Sequence, residues 1–191
     1  MKKIIFSFVF LLVSLSLFSQ KLASNKIDEF DNVRKMVTSG EKITGNPLAV
    51  IHFETVDNVV YMNWGSRFVA LFTTQGKKLY LLDDTGKKYT FYCIAASNYN
   101  NKYSSLRYIG DFNAIEGKRI VKYRIETIDG VVDYNVDKSK TEVIAQQYRF
   151  IKSEVEKYFS NGVLDVKETM DILNSKVEMK DVLDALNRLS E

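Results

Sequence analysis

The sequence is poor in the residues that catalytic and metal centres draw on. Its 191 residues include one histidine, His52, one cysteine, Cys93, one tryptophan, Trp64, and one proline, Pro47. A lone cysteine forms no internal disulfide, so the core must hold without covalent staples. Zinc sites draw on several His and Cys side chains, and one of each leaves that chemistry short of ligands. A Ser-His-Asp or Cys-His centre would have to be built around His52. The chain has no Gly-x-Ser-x-Gly elbow, no phosphate loop and no dinucleotide fingerprint. One proline and nine glycines exclude collagen-like and proline-rich chains, and 46% hydrophobic residues exclude disorder.

A strong excess of charge of one sign is missing as well. Lys2 and Lys3 open the apolar run Ile4–Phe18, and Leu17-Phe18-Ser19 sets a small residue where signal peptidase cleaves. This reads as a secretory signal over residues 1–19, its apolar run shorter than the 18 or more residues of a membrane span. No cysteine stands at the cleavage point to be acylated. Removing the two lysines takes the formal charge from +3 to +1. Nucleic-acid binding needs a concentrated basic surface, and here Lys and Arg alternate with Asp and Glu. The expectations are therefore an exported chain (periplasmic, cell-surface or secreted), with no nucleic-acid partner and no membrane span after cleavage.

From Ala49 to Val136 apolar residues recur with period two between turn pairs, the signature of antiparallel hairpins. In the first, Asp57-Asn58 reverses the chain and sets Val56 against Val59, Phe53 against Met62 and Ile51 against Trp64. That places Phe53 and Trp64 on a core face, and His52, Glu54, Tyr61 and Asn63 on the other. In the second, Lys78–Asp83 returns as Lys88–Ala96 with apolar residues on both faces, so a covered central pair is predicted. Cys93 falls in its apolar run as a buried thiol. In the third, Arg119–Ile128 turns at Asp129-Gly130, read as a type I′ reversal, with Glu126 opposite Asp133 and Arg124 diagonal to it. Further strands are predicted at Val33–Ile43 and Arg67–Thr74, and a helical turn at Asp28–Arg34.

After Ser139 the period becomes 3.6. Ser139-Lys140-Thr141-Glu142 has the form of a capping box, followed by the stripe Ile144, Tyr148, Ile151, Val155 and Phe159 on a helix of about 20 residues. Shorter helices are predicted from Asp165 and from Ser175. Gly162 to Glu168 has the spacing of the second half of an EF-hand loop, but Lys157 and Phe159 occupy positions that need oxygen ligands, so Glu168 reads as a helix-cap partner. The fold class is α+β: an antiparallel barrel or sandwich of about eight strands, residues 20–138, followed by a helical tail, residues 139–191.

Lys26-Ile27-Asp28-Glu29-Phe30 and the later Tyr123-Arg124-Ile125-Glu126-Thr127-Ile128-Asp129-Gly130 resemble a loose group of small exported bacterial proteins with a β-rich body. The resemblance spans about residues 26–160. It implies export and a β-rich body, and no activity carries over from it.

One segment has the composition of a contact loop: Ser97 to Ser105, rich in Tyr, Asn and Ser, which make adaptable surfaces at low entropic cost. Tyr99, Asn100 and Tyr103 are the candidate binding residues. No cofactor, metal or catalytic residue is assigned. Glu54, Asp83, Asp84, Asp111 and Glu116 are acids that a glycoside hydrolase would draw on, and spacing singles out none of them. The leading expectation is a non-enzymatic binding or structural domain of the cell envelope, its partner an envelope or extracellular protein or glycan. The alternative is a cell-envelope hydrolase acting on glycan or peptide.

Overall fold

The computed structural model describes residues 20–45, 48–67, 71–99, 103–165, 167–169 and 171. The signal segment, Asn100 and the helix expected from Ser175 lie outside them. Ten strands form one antiparallel sheet: β1 (Leu22–Asp28), β2 (Val33–Thr38), β3 (Glu41–Gly45), β4 (Leu48–Val56), β5 (Val59–Arg67), β6 (Lys78–Asp83), β7 (Lys88–Tyr99), β8 (Tyr103–Ile109), β9 (Ile120–Thr127) and β10 (Gly130–Asn135). Their order is β1-β2-β4-β5-β8-β7-β6-β9-β10, with β3 also on the edge of β4. The path has two ends, so the sheet is open and the closed barrel is not formed. Helix α1 (Val143–Glu156) follows. Among the described residues no helix is long and apolar enough to cross a membrane.

The sheet is strongly curled. Four strand steps separate β5 from β9, about 19 Å in a flat sheet. Yet the rings of Trp64 and Tyr123 lie 6.3 Å apart, so the two strands bend toward one another over a shared inner face. Asp137, just past β10, donates its backbone N–H to the Ile43 carbonyl at 2.9 Å and brings the end of β3 close to the far side. Helix α1 fills the hollow that remains. Its Ile144, Tyr148, Ile151 and Val155 join Phe53, Phe91 and Phe112 in one buried cluster. A buried Thr38–Gln147 side-chain bond, 2.9 Å, fixes the helix to β2.

The first hairpin has the expected register, with Ile51 opposite Trp64 and Phe53 opposite Met62. Other segments differ from expectation for local reasons. Val33–Ile43 is two strands, because β2 and β3 follow different halves of β4 with a break at Ser39-Gly40. Residues 29–32 form the turn of an additional β1–β2 hairpin and not a helical turn. Arg67 ends β5, and Leu71–Thr74 is irregular. The outer face of the β6–β7 pair is left open to solvent, with Tyr92 43% exposed.

The third hairpin is shifted by two residues. Its loop is Ile128-Asp129, so Arg124, not Glu126, stands opposite Asp133. Neither loop residue has positive φ, which excludes type I′, while Gly130 takes the positive value, +131°. The Thr127 hydroxyl receives the Asp129 N–H and donates to the Gly130 carbonyl, drawing the turn back by one position. An even shift keeps Tyr123, Ile125 and Thr127 on their expected face, while a register shift against β6 turns Ile120 into the core as well.

The Ser139 capping box is not made. Lys138–Lys140 is a short 3-10 turn, and α1 begins at Val143 without a side-chain cap and runs 14 residues. A capping box does form further on, where Asp165 N–H donates to Glu168 Oε2 and Glu168 N–H donates to Asp165 Oδ1. Glu168 is thus a cap partner, as the sequence suggested.

Candidate functional site

The face of the sheet opposite α1 carries the polar positions. Because strand side chains alternate, register places residues of neighbouring strands in rows that run across this face. One row is small: Val50 on β4, Gly65 on β5, Ser105 on β8 and Ser97 on β7, with Lys42 of β3 at the β4 end. Here the face sinks into a hollow of about 400 Å³ lined by Leu48, Val50, Gly65, Arg67 and Ser105. Gly65 opens it by lacking a side chain. A Cβ at Gly65 would meet nothing nearer than the Ser104 carbonyl oxygen at 3.7 Å, an ordinary contact.

The next row is polar: His52, Asn63 and Arg107 stand opposite one another across β4, β5 and β8. Arg107 donates to Glu54 through Nη2 at 2.5 Å and to the Asn63 side-chain oxygen through Nε at 3.1 Å. The Asn63 amide donates in turn to Glu54 at 3.2 Å. The Arg107 guanidinium also lies 5.3 Å from the centre of the Tyr61 ring. Burial, aided by the nearby Arg107 charge, lowers the His52 pKa, and the Glu54 carboxylate opposes this only in part. The imidazole is therefore neutral at neutral pH.

The row on the other side of the hollow holds Arg67 opposite Tyr103, and Tyr103 opposite Tyr99. The predicted loop is in part strand: β7 takes in residues 97–99 and β8 residues 103–105, with Tyr99 paired to Tyr103 beside the hollow, while residues 100–102 lie outside the described residues. The composition that suggested a loop had hidden β8. Leu106 and Tyr108, fully buried on its inner face, carry a short period-two signal. Arg107, Asn63, Gly65 and Arg67 were not legible as site residues, because only register brings them together.

The described residues line two other depressions. A groove of about 370 Å³ over β6, β9 and β10 contains Glu126 and Asp133. Glu126 accepts the Tyr80 hydroxyl at 2.6 Å, which with other contacts lowers its pKa. Asp133 is gripped by Arg124 and Lys122, which hold it well below the usual carboxylate range. Glycoside hydrolysis needs one carboxyl kept protonated, and both shifts run the other way. A cleft of about 520 Å³ lies between Gly110–Asn113 and the chain's own Val163–Thr169 segment.

The remaining candidate acids are dispersed. Asp83 is buried in its turn and accepts from the Thr85 hydroxyl, two backbone N–H groups and the Tyr89 hydroxyl. Asp84 lies 3.8 Å from Arg119, Asp111 accepts the Ala114 N–H, and Glu116 pairs with Lys152 and Arg149. Cys93 is a buried free thiol whose pKa is raised by burial. Among the described residues no three metal-ligating side chains converge.

The Asp83 turn has a pH signature. The Thr85 hydroxyl, with the Tyr89 hydroxyl and the backbone donors, lowers this carboxyl from 3.8 to about 2. A folded-state pKa below the unfolded value adds stability above the unfolded pKa, and that stability is lost as pH falls through the folded one. The urea midpoint should therefore fall between about pH 4 and pH 2, and Asp83→Asn should flatten part of that fall. Asp133 contributes to the same acid loss, so the flattening is partial. An unchanged acid profile in Asp83→Asn would contradict this assignment.

No family model matches the chain, and no curated protein and no solved structure matches it. Function is read from the geometry.

Proposed function

We propose that the chain is an exported, non-enzymatic binding domain of the cell envelope, and that it holds its partner in the hollow on the outer face of β4, β5 and β8. The observation that carries this reading is the hollow itself. A sheet face turned away from the core is ordinarily solvated and even, and this one sinks at Gly65 and Ser105 between two rows of larger residues. Tyr99 and Tyr103 at the adjoining hairpin tip, with Asn100 between them in sequence, extend the contact surface. Binding needs a concave surface with a few fixed polar groups, and the Glu54–Asn63–Arg107 triangle supplies a fixed rim. Export rests on the signal in residues 1–19.

Gly65→Val tests the reading. The Cβ has room, so the melting temperature should stay within a few degrees of the parent. The added side chain fills the floor, so retention on immobilised envelope polysaccharides and envelope proteins should drop sharply. Tyr99→Ala/Tyr103→Ala should weaken the same interaction. Undiminished retention by a folded Gly65→Val protein would remove the hollow from the reading.

A further inference from the structure

We propose that the occupant of this hollow is an acidic glycan, a sugar chain bearing carboxylates; the inference rests on the hollow being the contact surface. Three observations lead to it.

The first is charge. Lys42 closes one end of the small row, Arg67 flanks it on the tip side and Arg107 on the other. Against these three cations the face holds Glu54, which is already bonded to both Arg107 and Asn63. The Asp137 carboxylate and the Lys42 ammonium both lie beside Gly45. Among the described residues no acid stands within ion-pair distance, 4.0 Å, of Arg67 or Lys42. His52 stays neutral and adds no positive charge. Arg107 is thus matched by Glu54 and Lys42 has a carboxylate nearby, which leaves Arg67, in the lining of the hollow, as the cation with no acid beside it among the described residues.

The second is the position of the hollow within the sheet. Strand β5 is paired on both sides, to β4 and to β8, and β8 in turn to β7. Their backbone donors and acceptors are committed to the ladder. An extended peptide gains much of its affinity by adding a strand to an open edge, and β4, β5 and β8, which carry the hollow, are paired on both sides. A ligand must be recognised through side chains and shape.

The third is the lining. Leu48, Val50 and the bare Gly65 backbone make an even, partly apolar floor, and the Ser105 hydroxyl projects at its side. A pyranose ring presents one C–H face and a rim of hydroxyls, which such a floor and hydroxyl match. A volume of about 400 Å³ lies within the range of small-molecule sites. Arginine suits the ring carboxylate because its guanidinium presents paired donors in the geometry of a carboxylate.

The experiment is calorimetric titration of the signal-free chain with four probes: oligogalacturonate, polymannuronate, neutral dextran and oligoglutamate. The expected result is saturable binding of a carboxylated glycan and none of dextran. Arg67→Ala should weaken binding by about tenfold or more, with part restored in Arg67→Lys. Salt at about 0.5 M should weaken it, and Gly65→Val should abolish it. Equal binding of oligoglutamate would overturn the inference, since bare charge would then suffice. Binding that survives Gly65→Val, or no binding of either acidic glycan, would overturn it also. Gly65-dependent binding of dextran or of an envelope protein would remove the acidic glycan while leaving the hollow as the contact surface.

Discussion

Phe112→Ala is expected to lower the unfolding free energy by about 3–5 kcal/mol, the range for emptying a large aromatic site in a close-packed interior. Phe112 belongs to neither the sheet nor α1. It comes from the connection between β8 and β9, and 4% of it is exposed. Its ring stacks on Phe91 of β7 at 4.9 Å, meets Phe53 of β4 edge-on at 5.3 Å and leans on Tyr148 of α1 at 5.7 Å. Three elements distant in sequence thus share one side chain, and collapse into the vacated volume would require all three to move. Phe112→Leu keeps most of the volume and should cost far less. Urea denaturation of the three proteins measures the difference. A loss below about 1 kcal/mol in Phe112→Ala would mean that the site closes by itself and that the ring is not the tie described.

Phe112 also illustrates what the sequence conceals. Its segment, Asp111-Phe112-Asn113, has no period and no turn pair, so nothing local marks it as central. Where two-residue reversals fix register, the sequence was sufficient. Asp57 accepts the positive φ of the reversal, 53°, and the pairing of Ile51 with Trp64 follows. Where a favoured dipeptide competed with a hydroxyl, local reading misplaced the turn, as at Asp129-Gly130 against Thr127. Ser139 failed as a cap because the chain there is tied down elsewhere: the Ile120 N–H donates to the Thr141 carbonyl at 2.7 Å. The hollow depends on long-range pairing, since Val50, Gly65 and Ser105 become neighbours only once β4, β5 and β8 are in register.

Cutting the chain after Asn161 is expected to cost about 3 kcal/mol and to expose an apolar patch. Past Asn161 the backbone does not simply leave the sheet. Val163 packs against the main core. Leu164 packs on the opposite, outer face, against Val59, Tyr61 and Ile109. The Leu164 N–H donates to the Asn58 carbonyl at 3.1 Å, in the reversal between β4 and β5. Two half-buried aliphatic side chains contribute about 1 kcal/mol each at the usual burial coefficient, and the backbone bond adds about 1 kcal/mol. Without them Tyr61 and Ile109 face water, so the truncated chain should bind an apolar dye and self-associate with rising concentration. The double variant Val163→Ala/Leu164→Ala keeps every downstream residue and should reproduce about two-thirds of the loss by the same burial arithmetic. A truncated chain that melts at the parent temperature and binds no dye would show that these two side chains do not seal the sheet. A large loss on truncation with a silent double variant would instead assign the stabilisation to residues beyond Leu164.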